Sequence, residues 1–94
     1  MALARVVTFD GVSSERIEKL KSEMSSGEQP EGLDASEFLL LHDPDSEKSV
    51  AIVFFESEDA YARGDEVLSA MPAGDTPGQR TSVSKFDVAL RMTP

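Results

Sequence analysis

His42 is the residue of this sequence whose chemistry is easiest to put to use. It is the single histidine of the chain, and an unperturbed histidine is the one side chain that changes its charge near neutral pH. His42 ends an apolar run, where it can stand at the mouth of a pocket, so it is a candidate catalytic residue that acts as a general base. The alternative is a structural histidine that hydrogen-bonds Asp43 or Asp45 in the turn that follows. The lack of a second titratable partner favours the structural interpretation.

Tyr61 and Gly64 are candidate ligand-binding residues because both fall in a segment with helical spacing of apolar side chains. The hydroxyl of Tyr61 can orient a ligand while the ring lines a cavity, or the ring can close the edge of a core. A glycine inside a helix costs about 1 kcal/mol relative to alanine. Gly64 therefore either lets the helix approach a sheet closely or leaves space for a ligand.

Basic residues interrupt segments that otherwise read as strands, among them Arg5, Lys85 and Arg91. The two arginines either bind an anionic group of a ligand or pair with Asp87 or Glu37, and pairing is the simpler explanation. Lys85 and Asp87 share a strand face, so they can pair without any functional role.

Composition excludes several classes of function. The chain carries 18 acidic and 9 basic residues and a net charge of −9, which disfavours binding to nucleic acids and to anionic membranes. There is no cysteine, so disulfides, thiolate nucleophiles and cysteine metal sites are excluded. The spacing of Asp43, Asp45 and Glu47 lacks the central glycine and the distal glutamate of a calcium loop. We therefore expect neither a metal site nor a cofactor.

Neither a signal peptide nor a membrane span is expected. The first residues lack a basic region followed by an apolar run. The longest apolar run, Val50 to Phe55, is far shorter than the ~20 residues that cross a bilayer. The sequence therefore predicts a cytoplasmic location by default.

The pattern of apolar residues and turn residues predicts two helices among four strands. Ser13 and Ser57 are expected to cap the helices, with Val12 packing on Ile17 as a hydrophobic staple and Gly27 ending the first helix. The predicted strands span residues 3–9, 36–42, 49–55 and 80–92, with loops at 28–34 and 72–79. We expect one α+β domain over residues 1–94, ferredoxin-like in its β-α-β-β-α-β order, with a four-stranded antiparallel sheet and both helices on one face.

The second and third strands are apolar on both faces, although neighbouring side chains of a strand point to opposite faces. The side chains that share one face of the second strand are Phe38 and Leu40, and those of its other face are Leu39 and Leu41. The third strand repeats this pattern over residues 50–55. Two helices cover one face, so we expect the other to pack against a second copy of the chain in a homodimer. The alternative is that the two loops cover it within one subunit.

The fourth strand is expected to contribute to this dimer. Alternate residues from Phe86 to Met92 are apolar and share one face. The strand can therefore extend beyond the sheet of its own subunit.

These features resemble the dimeric α/β-barrel superfamily, and within it small proteins of the antibiotic-biosynthesis-monooxygenase type. The likeness is carried by the element order and by the hairpin from Phe38 to Phe55 with Glu56-Ser57-Glu58-Asp59 directly after it. It also includes the last strand, with Val83, Lys85, Phe86, Asp87 and Val88. The resemblance implies a homodimer with facing sheets and a small apolar cavity between sheet and helices in each subunit. Haem-degrading relatives use Asn, Trp and His, and this chain has no Asn or Trp.

Two functions follow from the residues and the resemblance together. The leading hypothesis is a cofactor-independent, monooxygenase-like enzyme that binds a small aromatic or apolar ligand between sheet and helices. The second is a non-catalytic ligand-binding or structural dimer in which bulky apolar residues fill the cavity. The scarcity of titratable side chains argues against the enzyme.

Overall fold

The predicted element order is confirmed. A computed structural model describes residues 2–24, 33–70 and 78–92. The elements are β1 (Leu3–Asp10), α1 (Ser14–Met24), β2 (Glu37–Asp43), β3 (Lys48–Phe55), α2 (Glu58–Ser69) and β4 (Gln79–Asp87). The four strands form one antiparallel sheet in the order β2-β3-β1-β4. This is the ferredoxin-like α+β fold that the sequence predicts.

Each helix begins at a serine cap, as predicted. The Ser13 hydroxyl accepts a hydrogen bond from the Arg16 N–H at 3.2 Å, and the Ser57 hydroxyl accepts one from the Ala60 N–H at 3.1 Å. Such bonds satisfy N–H groups of the first turn that have no partner within the helix. Val12 and Ile17 are buried in one cluster, as the staple requires. The predicted end of the first helix at Gly27 lies outside the described residues.

The core lies between the sheet and the helices and has two clusters. Around α2 the buried residues are Leu3, Val53, Phe55, Ala60 and Tyr61. Around the start of α1 they are Val7, Phe9, Val12 and Ile17. The strand residues of both clusters lie on the same face of the sheet, with Ala51 of β3 packed against the second cluster.

The opposite face of the sheet, called the open face below, is also largely apolar. The strand register gives its residues as Glu37, Leu39, Leu41, Val50, Ile52, Phe54, Ala4, Val6, Thr8, Ser82, Ser84 and Phe86. Leu39, Leu41 and Phe86 are 40%, 51% and 54% exposed. The prediction that β2 and β3 are apolar on both faces is therefore confirmed. Most of the residues in the two predicted loops, 28–32 and 72–77, lie outside the described residues.

The fourth strand ends at Asp87, so the prediction that it continues to Met92 was wrong. The N–H of Val88 donates to the carbonyl of Ala2 at 3.0 Å. The neighbouring strand β1 begins at Leu3, so the pairing of β4 with β1 ends at Asp87. Leu90 and Met92 are exposed outside the sheet. Within the described ranges no helix has the length and apolarity to cross a membrane.

Candidate functional site

His42 lies at the end of β2 on the face that carries the helices. Its Nε2 is 3.0 Å from the carbonyl oxygen of Val12; a carbonyl only accepts, so Nε2 carries the proton and donates. The N–H of Val12 donates in turn to the carbonyl of Glu47 at 2.7 Å. The β2–β3 hairpin therefore holds both backbone groups of Val12, and His42 ties the start of α1 to the sheet.

The aspartates that the sequence offered as partners of His42 bond within the turn instead. The carboxylate of Asp43 accepts from the Ser46 hydroxyl at 2.8 Å and from the Asp45 N–H at 3.1 Å. The bond from Ser46 is the main cause that lowers the pKa of Asp43, and the nearby His42 acts in the same direction. The expected partner was therefore wrong, because a backbone carbonyl distant in sequence lies closer to the ring.

Tyr61 is buried in α2 and packs edge-on against Phe55, with ring centroids 5.5 Å apart and an interplanar angle of 71°. The ammonium of Lys85 lies 4.9 Å from the centroid of the Tyr61 ring, within cation–π range. Burial, and then the charge of Asp65, raise the pKa of Tyr61, so the phenol stays protonated at neutral pH. Tyr61 thus closes the edge of the core around Phe55, which is the second of the two interpretations of this residue.

Lys85 pairs across elements rather than along its own strand. Its ammonium donates to Glu58 at 2.8 Å, and this hydrogen bond is the main cause that raises the pKa of Lys85. Asp87, the partner considered from sequence, adds a smaller effect in the same direction. The pair joins β4 to the first turn of α2.

Gly64 allows α2 to lie directly on the sheet. A Cβ at this position would overlap Cε1 and Cζ of Phe55 and would lie 3.1 Å from Cδ1 of Leu33. The space beside Gly64 is therefore filled by the Phe55 ring. Of the two interpretations of Gly64, the structure shows the close approach.

Arg5 forms a buried polar link that the sequence did not reveal. Its side chain is 4% exposed, its Nε donates to Asp65 at 2.8 Å, and its Nη2 donates to the Ser69 hydroxyl at 3.3 Å. The predicted partners, Asp87 and Glu37, were wrong. Two signals point to the true pair: Arg5 has the parity of core residues in β1, and Asp65 follows Tyr61 by one helical turn.

Arg91 has a different environment from Arg5. Its guanidinium lies 4.6 Å from the centroid of the Phe54 ring and 3.9 Å from a carboxylate oxygen of Glu56. The pairing predicted with Asp87 or Glu37 was wrong here as well. Arg91 brings the segment after β4 onto the margin of the open face.

The candidate residues do not form one site. Tyr61 and Gly64 both pack against Phe55 at one end of β3, whereas His42 is opposite Ser49 at the other end. At ~3.3 Å per residue, Ser49 and Phe55 are about 20 Å apart along the strand. No cluster of three or more possible metal ligands occurs in the part of the chain that the structure describes.

The chain matches no protein-family model, and no curated protein is significantly similar to it. The observations that bear on function are therefore the contacts of these candidate residues and the exposed apolar face opposite them. The contacts of Tyr61 and Gly64 are those of core residues, and His42 holds a backbone carbonyl. The open face carries exposed apolar side chains, those of Leu39, Leu41 and Phe86.

Proposed function

We propose that this protein acts as a homodimer in which the open faces of two sheets pack together, and that its main role is that of a non-catalytic ligand-binding or structural dimer. The observation that carries the proposal is the apolar composition of the open face together with the exposure of Leu39, Leu41 and Phe86 on it. A contiguous apolar surface of this kind usually marks an interaction site. A second copy of the chain covers it with closed two-fold symmetry, the commonest form of assembly.

The interior beneath α2 favours a structural role over catalysis. Phe55 fills the space beside Gly64, and Tyr61 packs on the same ring. A ligand between the sheet and this part of α2 would have to displace Phe55 from a fully buried position. A cytoplasmic location without a cofactor belongs to this proposal, on the sequence grounds given above.

The dimer can be tested with two neighbouring residues of β2 that point to opposite faces. Leu39 lies on the open face and is 40% exposed, whereas Phe38 lies on the helix side and is 39% exposed. We expect Leu39→Asp to weaken dimerisation at least tenfold, because two-fold symmetry brings two carboxylates into the apolar contact. Phe38→Asp should leave the dimerisation constant within about threefold. Sedimentation equilibrium over a range of protein concentrations measures both.

Two outcomes of this experiment would contradict the dimer. One is a wild-type chain that stays monomeric at high micromolar concentration. The other is equal weakening by Leu39→Asp and Phe38→Asp, which would assign the contact to neither face. Circular dichroism of each variant shows whether the fold is retained.

The second candidate is a cofactor-independent, monooxygenase-like enzyme acting on a small aromatic ligand, and one observation favours it. The bond from Nε2 of His42 to Val12 fixes the tautomer of the ring, so the neutral imidazole keeps a lone pair on Nδ1. A histidine oriented in this way can accept a proton from a phenol and so raise its reactivity toward oxygen.

Oxygen uptake with a panel of polyphenols tests this second candidate. If it is correct, the native chain consumes oxygen, and His42→Ala lowers the rate at least a hundredfold. Because His42 also anchors α1, His42→Gln serves as a second variant that can retain the hydrogen bond to Val12 but cannot act as a base. No uptake by the native chain rejects the enzyme, and uptake that both variants retain rejects His42 as its general base.

A further inference from the structure

The strand register arranges the open face as a grid of three rows across four strands. Reading across β2, β3, β1 and β4, the first row is Glu37, Phe54, Ala4 and Phe86. The second row is Leu39, Ile52, Val6 and Ser84. The third row is Leu41, Val50, Thr8 and Ser82.

The apolar members of this grid form a diagonal band that runs from Leu41 at one corner to Phe86 at the opposite corner. The two remaining corners are polar. One is Glu37. The other, called the hydroxyl corner, consists of Thr8, Ser82 and Ser84.

The two polar corners differ in what they can offer a partner. In the hydroxyl corner, Thr8 Oγ1 lies 2.7 Å from Ser82 Oγ and 2.6 Å from the neighbouring Thr81 Oγ1, and hydroxyls both donate and accept. Glu37 is exposed, and the ion pairs found among the described residues do not include it. One corner therefore carries a negative charge, and the other carries groups that can donate hydrogen bonds to it.

Two-fold symmetry restricts how two such faces can meet. To bring copies of one face together, the axis must lie in the plane between the two sheets. An axis along the strands places Leu41 opposite the partner's Ser82. An axis across the strands places Leu41 opposite the partner's Glu37. Only an axis along the diagonal band or perpendicular to it stacks the apolar band on its copy.

Charge distinguishes the two remaining arrangements. With the axis perpendicular to the band, Glu37 faces the partner's Glu37, a repulsive contact in a chain of net charge −9. With the axis along the band, Glu37 faces the partner's hydroxyl corner, and each carboxylate meets hydrogen-bond donors. Arg91 lies over Phe54, next to the Glu37 corner, and is paired with Glu56, so the two together add no net charge to that corner.

We infer that the dimer forms around a two-fold axis along the diagonal band, with Glu37 of each subunit against the hydroxyl corner of the other. The inference rests on the proposed homodimer. Strands lie ~4.8 Å apart and rise ~3.3 Å per residue, so the band is inclined at about 45° to the strands. The two sheets then cross at about 90°, one of the two packing angles that stacked sheets adopt.

The absence of cysteine from the sequence makes a site-specific test possible. Leu41 and Ser82 lie at opposite ends of one row and are both exposed. With the axis along the band, Leu41 faces the partner's Leu41, whereas two copies of Ser82 are about 20 Å apart in the plane of the sheets. With the axis perpendicular to the band, Ser82 faces the partner's Ser82, and two copies of Leu41 are about 20 Å apart.

The experiment uses the single variants Leu41→Cys and Ser82→Cys. Each is treated with a bis-maleimide long enough to span the ~10 Å between stacked sheets. We expect Leu41→Cys to be linked into covalent dimers at least tenfold faster than Ser82→Cys. A mixture of Glu37→Cys and Ser82→Cys should give linked heterodimers. A monofunctional maleimide, which should react with the three thiols at similar rates, is the control.

Faster linking of Ser82→Cys than of Leu41→Cys would overturn the arrangement, and so would equal linking or no linking in chains that scattering shows to be dimeric. In these cases the homodimer itself would stand. Monomeric wild-type chains would reject the proposed function instead. The two failures are therefore distinguishable.

Discussion

Replacement of Asp65 by alanine is expected to lower the free energy of unfolding by about 2–3 kcal/mol. Asp65 accepts the hydrogen bond from the Arg5 Nε at 2.8 Å, and the Arg5 side chain is 4% exposed. Without the carboxylate, a cation remains buried under α2, and its remaining side-chain hydrogen-bond partner among the described residues is the Ser69 hydroxyl. The expected loss is below that of a fully buried pair because the Asp65 side chain is 44% exposed.

The same pair predicts an asymmetry between its two members. Arg5→Met removes the buried cation and leaves an aspartate that water can reach, so its expected cost is about 1 kcal/mol. The double variant Arg5→Met/Asp65→Ala should be more stable than Asp65→Ala alone, because no unpaired charge remains in the interior. If the double variant is more stable than Asp65→Ala, the loss in Asp65→Ala comes from the unpaired charge of Arg5 and not only from the lost contact.

Guanidinium denaturation followed by circular dichroism measures these free energies. The comparison is made at two protein concentrations, because subunit association adds to apparent stability by mass action. Equal losses for Asp65→Ala and Arg5→Met, or a double variant no better than Asp65→Ala, would mean that the pair contributes as ordinary packing.

The elements of this fold follow from local rules, and for that reason the sequence predicts them. The serine caps depend on residues three positions apart in the chain, and the two apolar faces of β2 and β3 depend on strand alternation. Neither requires knowledge of which elements meet in space. Even the consequence for the open face, an exposed apolar surface in the single subunit, could be reached before the structure.

The partners of the charged residues depend on tertiary contacts and could not be reached in this way. Arg5 and Asp65 are 60 positions apart, and His42 and Val12 are 30 apart. In both cases other carboxylates looked sufficient, Asp87 or Glu37 for Arg5 and Asp43 or Asp45 for His42. The end of β4 is likewise set by another element, because its pairing stops where β1 begins at Leu3. Composition alone gives no sign of that limit.

Gly64→Ala is expected to destabilise the protein by about 1–3 kcal/mol, the usual range for an overpacked core. In an exposed helix the same change stabilises by about 1 kcal/mol, so the sign of the effect is informative. The added methyl would overlap the Cε1 and Cζ atoms of the Phe55 ring. Phe55 is fully buried and cannot rotate away without displacing Tyr61, which packs on its ring.

A second change at Phe55 tests whether this ring is the cause. Phe55→Leu removes ring atoms and opens a cavity, so on its own it should cost about 1–3 kcal/mol. In Gly64→Ala/Phe55→Leu the methyl group occupies the vacated space, and the total loss should be smaller than the sum of the single losses by at least ~1 kcal/mol. Ala62→Gly, at an exposed position of the same helix, gives the effect of helix propensity alone.

The result also bears on whether α2 leaves room for a ligand. If Gly64→Ala stabilised the protein and the two changes were additive, α2 would lie far enough from the sheet to accept a methyl group without strain. A small aromatic ligand would then have a place to bind beside Tyr61. If the methyl group is rejected and Phe55→Leu relieves the strain, the Phe55 ring occupies that place permanently. Any ligand must then bind elsewhere, and the interface between two open faces becomes the first place to look for it.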